Sequence, residues 1–457
     1  MNRETSDTTL ANGLRVVVVR TPGAPLAEVR LVLPYARTAP HLAEAHELLA
    51  ACLGTGTAAG PARAARTRQD VADHTADLGA ELSTVVTAES LVMAASVLAP
   101  GLPGVLSLLT DLLLHPAYRD RELALARRRT APFPRVPGPR QRLRGALLGH
   151  AFGAHPLVDA PTAPATATTT EDLHALHARA VVPDGAVLLV TTSDRPDEVS
   201  GRVRELLGSW SGEPSGLVLP PFARRAPRPG RVALTTPAGS PGAGQALVLC
   251  AAPAVPVGHP AHAPLHLAQS ILGGSASSRL ARRIRDRHGL AYAVSADLRG
   301  NRAGDWLEIA CAGAPGTAGR IADEITRLLE ETAGEGFSRE EVERARAYAS
   351  GFTRFALATR TEEASALAGF AAAGLPLDWL ATYRNRLAEV THRQVAEAAG
   401  FFFDPARAAV ATSDDATSDD TGPADATPQD HAPDRHAPEH DPHHDQAQHE
   451  ENDRWTP

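Results

Sequence analysis

Residues 271–295 read Ile271-Leu-Gly-Gly-Ser-Ala-Ser-Ser-Arg-Leu-Ala-Arg-Arg-Ile-Arg-Asp-Arg-His-Gly-Leu-Ala-Tyr-Ala-Val-Ser295. The glycine pair Gly273-Gly274 is typical of a helix end, and the last residues of the stretch are typical of a β-strand. Arg285 lies at the end of a second helix, and Tyr292 follows seven residues later at the start of the strand. Taken alone, this spacing indicates only a surface arginine and a half-buried strand tyrosine.

The first half of the chain contains two predicted strands, 14–20 and 27–34, separated by the turn at Pro22-Gly23. Two such strands joined by a short loop are predicted to pair as a hairpin. A helix follows at 41–53, where apolar residues recur on one helical face until Gly54. The remaining predictions for this half are a strand at 84–97, helices at 102–114, 120–130 and 172–180, and a strand at 185–192.

The second half repeats this order. Strands at 231–236 and 245–251 are predicted to pair across a loop rich in Pro and Gly, and a helix follows at 261–272. The remaining predictions are strands at 291–298 and 306–311, helices at 319–333, 338–348 and 392–399, and a strand at 406–412. Because Leu53-Gly54 and Leu272-Gly273 close equivalent helices, the pattern indicates an ancient duplication rather than an array of short repeats.

The predicted organisation has four segments. Residues 1–211 form the first domain, residues 212–230 form a linker rich in Pro, Gly and Arg, and residues 231–412 form the second domain. Residues 413–457 are rich in Asp, His and Pro and have almost no aliphatic side chains. Such a composition buries too little apolar surface to fold, so this segment is predicted to be a disordered tail.

The charge of the chain is unevenly distributed. The formal net charge is −8, but residues from Asp414 onward carry 13 Asp/Glu and two Arg, which leaves the body with about +3. A nearly neutral body gives no support to nucleic-acid binding. Cys52, Cys250 and Cys311 are too widely spaced to predict a disulfide framework or a zinc ribbon. Because no segment has the apolar length of a signal core or a membrane span, we expect a cytoplasmic protein without a membrane partner.

The segment 271–295 resembles the second-half signature of the pitrilysin/insulinase (M16) metallopeptidase superfamily. Shorter stretches at 152–156, 189–194 and 387–391 also resemble that family, and the resemblance covers roughly residues 8 to 412. It implies an α+β fold with two homologous α/β-sandwich domains related by duplication. Each domain is expected to have a mainly antiparallel sheet with helices packed on it.

Active members of the family carry His-x-x-Glu-His on the helix after the first two strands. The two histidines bind zinc, the glutamate activates water, and a second glutamate further along completes the ligand set. Alignment on Leu53-Gly54-Thr55 places apolar residues at all four positions: Ala45, Leu48, Leu49 and Ala126. The resemblance therefore implies a degenerate zinc motif and no metal bound by this chain.

The same region offers two other arrangements. Alignment on Gly56-Thr57 instead places one acid among residues that cannot bind zinc: Glu47, Ala50, Ala51 and Arg128. His41, Glu44 and His46 form a shifted motif, but two histidines five residues apart lie about 140° apart around a helix and cannot easily chelate one ion. The favoured interpretation places these three residues on the solvated face of an amphipathic helix.

Arg285 and Tyr292 keep the spacing of the family's substrate-orienting pair. In active relatives this pair holds the substrate backbone and stabilises the developing oxyanion. Some bacterial members divide the work between two chains, one with His-x-x-Glu-His and one with the Arg/Tyr pair. The resemblance implies that this chain is the non-catalytic Arg/Tyr subunit, that zinc is bound by a His-x-x-Glu-His partner, and that the substrates are peptides.

Two alternatives remain open at this stage. The chain could be a catalytically inert scaffold or peptide-binding homologue, or a self-sufficient enzyme with an unrecognised metal site. The tail adds six histidines among carboxylates: His431, His436, His440, His443, His444 and His449. A solvated acidic tail is the favoured interpretation, with weak metal capture as the other possibility.

Overall fold

The computed structural model describes residues 4–23, 25–60, 63–130, 138–158, 166–214, 216–236, 244–355 and 357–415. Within these ranges the strands form one six-stranded and one five-stranded sheet. The first sheet contains β1 (Thr5–Thr9), β2 (Arg15–Arg20), β3 (Leu26–Pro34), β4 (Glu81–Val86), β5 (Ser90–Leu98) and β6 (Val187–Thr192). The second contains β7 (Gly230–Thr236), β8 (Ala246–Pro253), β9 (Ala291–Asn301), β10 (Gly304–Gly313) and β11 (Ala409–Asp415).

The helices of each half, two excepted, pack on their own sheet or on one another. The first half contributes α1 (Ala43–Leu53), α2 (Arg68–Asp77), α3 (Leu102–Leu114), α4 (Asp120–Thr130), α5 (Pro139–Phe152), α6 (Thr170–Ala180) and α7 (Pro196–Leu207). The second contributes α8 (His262–Leu272), the π-helix Ala281–Arg287, α9 (Ala318–Glu335), α10 (Arg339–Phe355), α11 (Arg360–Ala372), α12 (Trp379–Glu389) and α13 (His392–Phe402). No helix within the described ranges has both the length and the apolarity that crossing a membrane requires.

The two sheets have the same topology. Their strand orders are β1-β2-β6-β3-β5-β4 and β7-β11-β8-β10-β9. Every strand except β1 therefore has a counterpart in the other sheet. In each sheet the first and last of the shared strands pair in parallel, and the remaining pairs are antiparallel. The predicted α+β class with duplicated, mainly antiparallel sheets is thereby confirmed.

Both predicted hairpins are wrong. The strand β6 lies between β2 and β3, and β11 lies between β7 and β8. The physical reason is burial: every residue of β6 is buried, so this apolar strand is most stable in the centre of the sheet. Adjacent strands in sequence pair often but not always, and here the last strand of each half separates the first two.

Two element boundaries also differ from the predictions. The strand predicted at 84–97 is a hairpin of β4 and β5, with Thr87 forming hydrogen bonds to Ser90 in the turn. The predicted start of the tail at residue 413 is too early. The strand β11 continues through Ser413 to Asp415 and pairs with β7. Asp414 accepts hydrogen bonds from the backbone of Gly316 and Ala318 at the start of α9. Residues 416–457, including the six tail histidines, lie outside the described residues.

Each sheet is covered on its second face by a helix from the other half. Helix α5 of the first half packs on β7, β8 and β11. Helix α11 of the second half packs on β3 and β6. The alternation of side chains along a strand explains this arrangement, because both faces of the central strands are apolar and both must be buried.

Buried ion pairs lie at the contacts of α5 and α11 with the two sheets. Arg144 on α5 donates two hydrogen bonds to the carboxylate of Glu308 on β10, at 3.0 and 2.6 Å, and Glu308 is fully buried. Glu28 and Arg30 on β3 form a buried pair at 2.9 Å, and the hydroxyl of Thr361 on α11 donates to Glu28 at 2.9 Å. Charged groups removed from water need such partners, so both contacts fix the relative position of the halves.

Candidate functional site

The positions that the sequence alignment assigned to the zinc motif lie in or against the hydrophobic core. Leu48 and Leu49 on α1 are 1% and 0% exposed, and Ala126 on α4 is 5% exposed. All three belong to the core cluster of the first half, and the partly buried Ala45 packs against it. Helices α1 and α4 pack together as a zinc site would require, but Leu48, Leu49 and Ala126 are apolar members of the core.

The interpretation of Glu44 and His46 as solvated residues is wrong. Both are buried, because α1 packs against α4 and α6. The Glu44 carboxylate accepts hydrogen bonds from the backbone and hydroxyl of Thr168 and lies 3.5 Å from Arg127. The His46 ring packs against Tyr35 at 4.4 Å between ring centroids. His41, by contrast, is exposed, so the three residues do not share one environment.

These residues do not form a ligand set for zinc. Within the described ranges, no group of three or more His, Cys, Asp or Glu side chains is placed to hold a metal ion. Burial and the nearby Arg37 and Arg179 lower the pKa of His46 to about 4, so its imidazole is neutral at physiological pH. A neutral imidazole could bind a metal, but the carboxylate of Glu44 is already held by Thr168 and Arg127.

The signature segment of the second half is fixed to α10 through one arginine. Arg279 donates two hydrogen bonds to Glu341, at 2.9 and 2.8 Å, and its guanidinium lies 4.7 Å from the ring centroid of Phe337. Glu341 also accepts a hydrogen bond from the backbone of Ser338 at the start of α10. The hydrogen bond from Arg279 is the main cause that lowers the pKa of Glu341 to about 2.

Arg285 lies in the π-helix, one turn before the chain enters β9. Its side chain is 38% exposed and donates hydrogen bonds to Asp286 at 2.8 Å and to the carbonyl of Ala276 at 3.1 Å. The hydrogen bond with Asp286 raises the pKa of Arg285, so the guanidinium stays charged. Gly289, with a φ of +61°, ends the helix and directs the chain into β9.

Tyr292 is the second residue of β9, which is an edge strand of the second sheet. Its side chain is 61% exposed, the highest value among the exposed large apolar and aromatic side chains of the described residues. The π-helix packs directly against β9, so that Arg285 and Tyr292 occupy consecutive elements at one end of the sheet. The structure thus presents both predicted side chains on an open surface, whereas it buries the zinc-motif positions.

The sequence prediction did not identify Glu341 as the partner of Arg279. Sixty-two residues separate the two, and only the packing of α10 on the second half brings them together. The available signal was the Ser-x-x-Glu pattern from Ser338 to Glu341, which is a capping box at the start of a helix. That pattern predicts the helix start but not the arginine that binds it.

Two halves with the same mainly antiparallel sheet topology, each with packed helices, define a duplicated α+β protein. Residues 167–348 match the family described as the peptidase M16 inactive domain. An uncharacterized zinc protease of Mycobacterium leprae is 29% identical over 343 residues, which cover 73% of this chain and 75% of that protein. The matched part of the chain therefore resembles the inactive domain of M16 peptidases.

Solved structures share the fold over almost the whole described chain. The peptidase M16 inactive domain from Pseudomonas fluorescens has a TM-score of 0.77 at 18% identity, covering 92% of this chain and 99% of that chain. A protease from Helicobacter pylori has a TM-score of 0.78 at 15% identity, covering 91% of this chain and 100% of that chain. At these identities the likeness concerns the fold alone.

Proposed function

We propose that this chain is the non-catalytic subunit of a heterodimeric zinc metallopeptidase. In this assembly a partner of the same family binds zinc through His-x-x-Glu-His. Arg285 and Tyr292 then hold the substrate peptide across the partner's metal. The partner's zinc supplies the Lewis acid, while the two side chains of this chain orient the peptide and stabilise the negative charge that develops on its carbonyl oxygen.

One contrast within the molecule carries the proposal. The positions that would bind zinc are at most partly exposed and packed in a core, and the positions that would bind substrate are open. A tyrosine can contribute a large apolar ring and a hydroxyl group to a binding surface, and such side chains are enriched at interfaces. The open pair therefore supports a role in binding something outside this chain.

The edge position of β9 supports a peptide as that ligand. In the sheet order, β9 has β10 on one side and no described strand on the other. Extended peptides bind to proteins by adding a strand to such an edge, with main-chain hydrogen bonds giving affinity. A peptide that followed this edge would pass Tyr292 at its start. The family resemblance points to leader segments of modified peptides as one possible substrate class.

The proposal is tested by co-purifying the chain with a His-x-x-Glu-His partner from the same genome and measuring peptide cleavage. We expect no cleavage by this chain alone and clear cleavage by the complex. In the complex, Arg285→Ala and Tyr292→Phe should each lower kcat by about 10²-fold or more, the usual effect of removing an oxyanion donor. Assembly, measured by size-exclusion chromatography, should be unchanged.

Two controls of the same residue types are available. Arg287→Ala removes an exposed arginine from the same π-helix, and Tyr348→Phe changes an exposed tyrosine on α10, and both should leave kcat unchanged. Equal kcat for wild type, Arg285→Ala and Tyr292→Phe in a verified complex would refute the orienting role. Binding of peptide by the complex without cleavage would instead favour the inert scaffold.

The proposed compartment is the cytoplasm. The three cysteines are buried and none forms a disulfide. Reduced thiols are the usual state in the cytoplasm, where disulfides are rare.

A further inference from the structure

The start of β9 contains an irregularity that determines where Tyr292 points. Ala293 pairs with Ala312 of β10, and Ala291 pairs with the next residue, Gly313. Between these two pairs β9 advances by two residues and β10 by one. Tyr292 is therefore the extra residue of a β-bulge and has no residue opposite it.

The burial of the neighbours confirms that the bulge changes which face the side chains occupy. Ala291 and Ala296 are both buried in the same core cluster, although residues five apart in a regular strand lie on opposite faces. One extra residue between them restores the same face for both. Tyr292 and Ala293 are consequently both exposed, in two successive positions. A regular strand with Ala296 directed inward would turn Tyr292 toward the core.

Gly313 is the residue that makes room for the bulge. A Cβ atom on Gly313 would lie 2.1 Å from the carbonyl oxygen of Leu290, and 2.9 and 3.0 Å from the side chains of Ile321 and Thr317. The first distance is far inside van der Waals contact and involves backbone, which cannot rotate away. Any side chain at position 313 must therefore displace Leu290, and with it the first residues of β9.

We propose that Gly313 is a positioning residue for Tyr292: its missing side chain lets the two strands approach, and the resulting bulge turns the phenol outward. The consequence for peptide turnover rests on the proposed function, whereas the orientation of Tyr292 does not. The two are therefore tested separately, first on this chain alone and then in the complex.

The first test compares tyrosine nitration by tetranitromethane in Gly313→Ala, in the control Gly319→Ala and in wild type. A Cβ on Gly319 would meet nothing within 4 Å. Peptide mass spectrometry reports each tyrosine, and Tyr348, which is 48% exposed on α10, serves as the internal standard. We expect the ratio of nitration at Tyr292 to that at Tyr348 to fall several-fold in Gly313→Ala only. An unchanged ratio in folded Gly313→Ala would overturn the proposal.

A second measurement tests whether β9 has the bulge at Tyr292, even if Gly313→Ala does not fold. Ala291→Cys, Tyr292→Cys and Ala293→Cys are made one at a time, and maleimide labelling of the native protein is followed. The bulge predicts labelling at positions 292 and 293 and protection at 291. Labelling at 291 and 293 with protection at 292 would show a regular strand and overturn the inference. The natural cysteines Cys52, Cys250 and Cys311 do not interfere, because burial raises their pKa to about 11 or 12.

In the active complex, Gly313→Ala and Tyr292→Phe show whether Gly313 acts by positioning Tyr292 or by a general disturbance of the fold. If Gly313 acts through the Tyr292 hydroxyl, the double variant Gly313→Ala/Tyr292→Phe should have the same kcat as Tyr292→Phe alone. Multiplied losses in the double variant would mean that Gly313 affects turnover by another route. Lost nitration with unchanged kcat would retain the bulge and refute the proposed function of Tyr292.

Discussion

Leu48 and Leu49 are core residues at positions that the sequence alignment assigned to a zinc motif. A zinc-binding helix must expose two imidazoles and a carboxylate toward a second helix, and those groups cost free energy when no metal compensates their desolvation. Here Leu48, Leu49 and Ala126 belong to the main core of the first half. Histidine at Leu49 would place an imidazole in that core without a partner, at a cost of about 1–3 kcal/mol. A single substitution therefore cannot restore the family's zinc site.

The variant Leu49→Ala should lower the free energy of unfolding by about 2–5 kcal/mol, because it leaves a cavity in a site that is fully buried. Urea denaturation followed by circular dichroism measures this loss. The control Ala51→Ser lies on the exposed face of the same helix and should change stability by less than about 0.5 kcal/mol. A loss from Leu49→Ala as small as that of the control would show that α1 is not packed as described.

The periodicity of apolar residues predicted individual helices and strands better than it predicted which strands pair with each other. Helices α3 and α4 have the predicted bounds, because each has a clear apolar face and a definite end. The pairing of β2 was not predictable in this way, since its partner β6 begins 172 residues after β2 begins and no local signal connects them. Helix α11 was missed because it is rich in alanine and is buried between the halves, so it has little amphipathic contrast. The Arg/Tyr pair stays a prediction, and only the family resemblance pointed to it.

The contact of α10 with the signature segment should depend on pH through Glu341. Its pKa is lowered to about 2 in the folded chain, mainly by the hydrogen bond from Arg279, from an ordinary value of 4.5. A lowered pKa contributes stability that is complete above the ordinary value and is lost as pH falls toward 2. The difference in free energy of unfolding between wild type and Glu341→Gln should therefore be largest near neutral pH and should shrink below about pH 4.5.

Urea denaturation at a series of pH values measures that difference. Glu343→Gln is the matched control, because Glu343 lies on the same helix and is 67% exposed in its ion pair with Arg346. Its effect should be small at every pH. A difference between wild type and Glu341→Gln that stays constant across the series would contradict the role of Arg279.

At the scale of the whole molecule, each half is incomplete without the other, because α5 packs on the second sheet and α11 packs on the first. Helix α5 covers the second sheet with Leu143, Leu147 and Phe152, which belong to a core shared by both halves. Phe222, in the segment predicted as a linker, stacks on Phe152 at 4.3 Å between ring centroids. A linker that contributes to a core cannot act as a free hinge. We therefore expect the halves to unfold together, and the buried pair Arg144–Glu308 is the contact that tests this most directly.

Arg144→Met removes the main partner of a fully buried carboxylate and should cost about 3–5 kcal/mol, because Glu308 keeps its desolvation penalty without its hydrogen bonds. Arg231→Met is the control: its pair with Asp323 is more than half exposed on both sides and should contribute less than about 1 kcal/mol. The double variant Arg144→Met/Glu308→Gln should recover part of the loss, since a neutral amide is less costly to bury than an unpaired carboxylate. Denaturation of all three should remain a single transition if α5 joins the halves into one unit. A separate early transition in Arg144→Met, with the second half unfolding first, would show that each half is stable without the helix it receives.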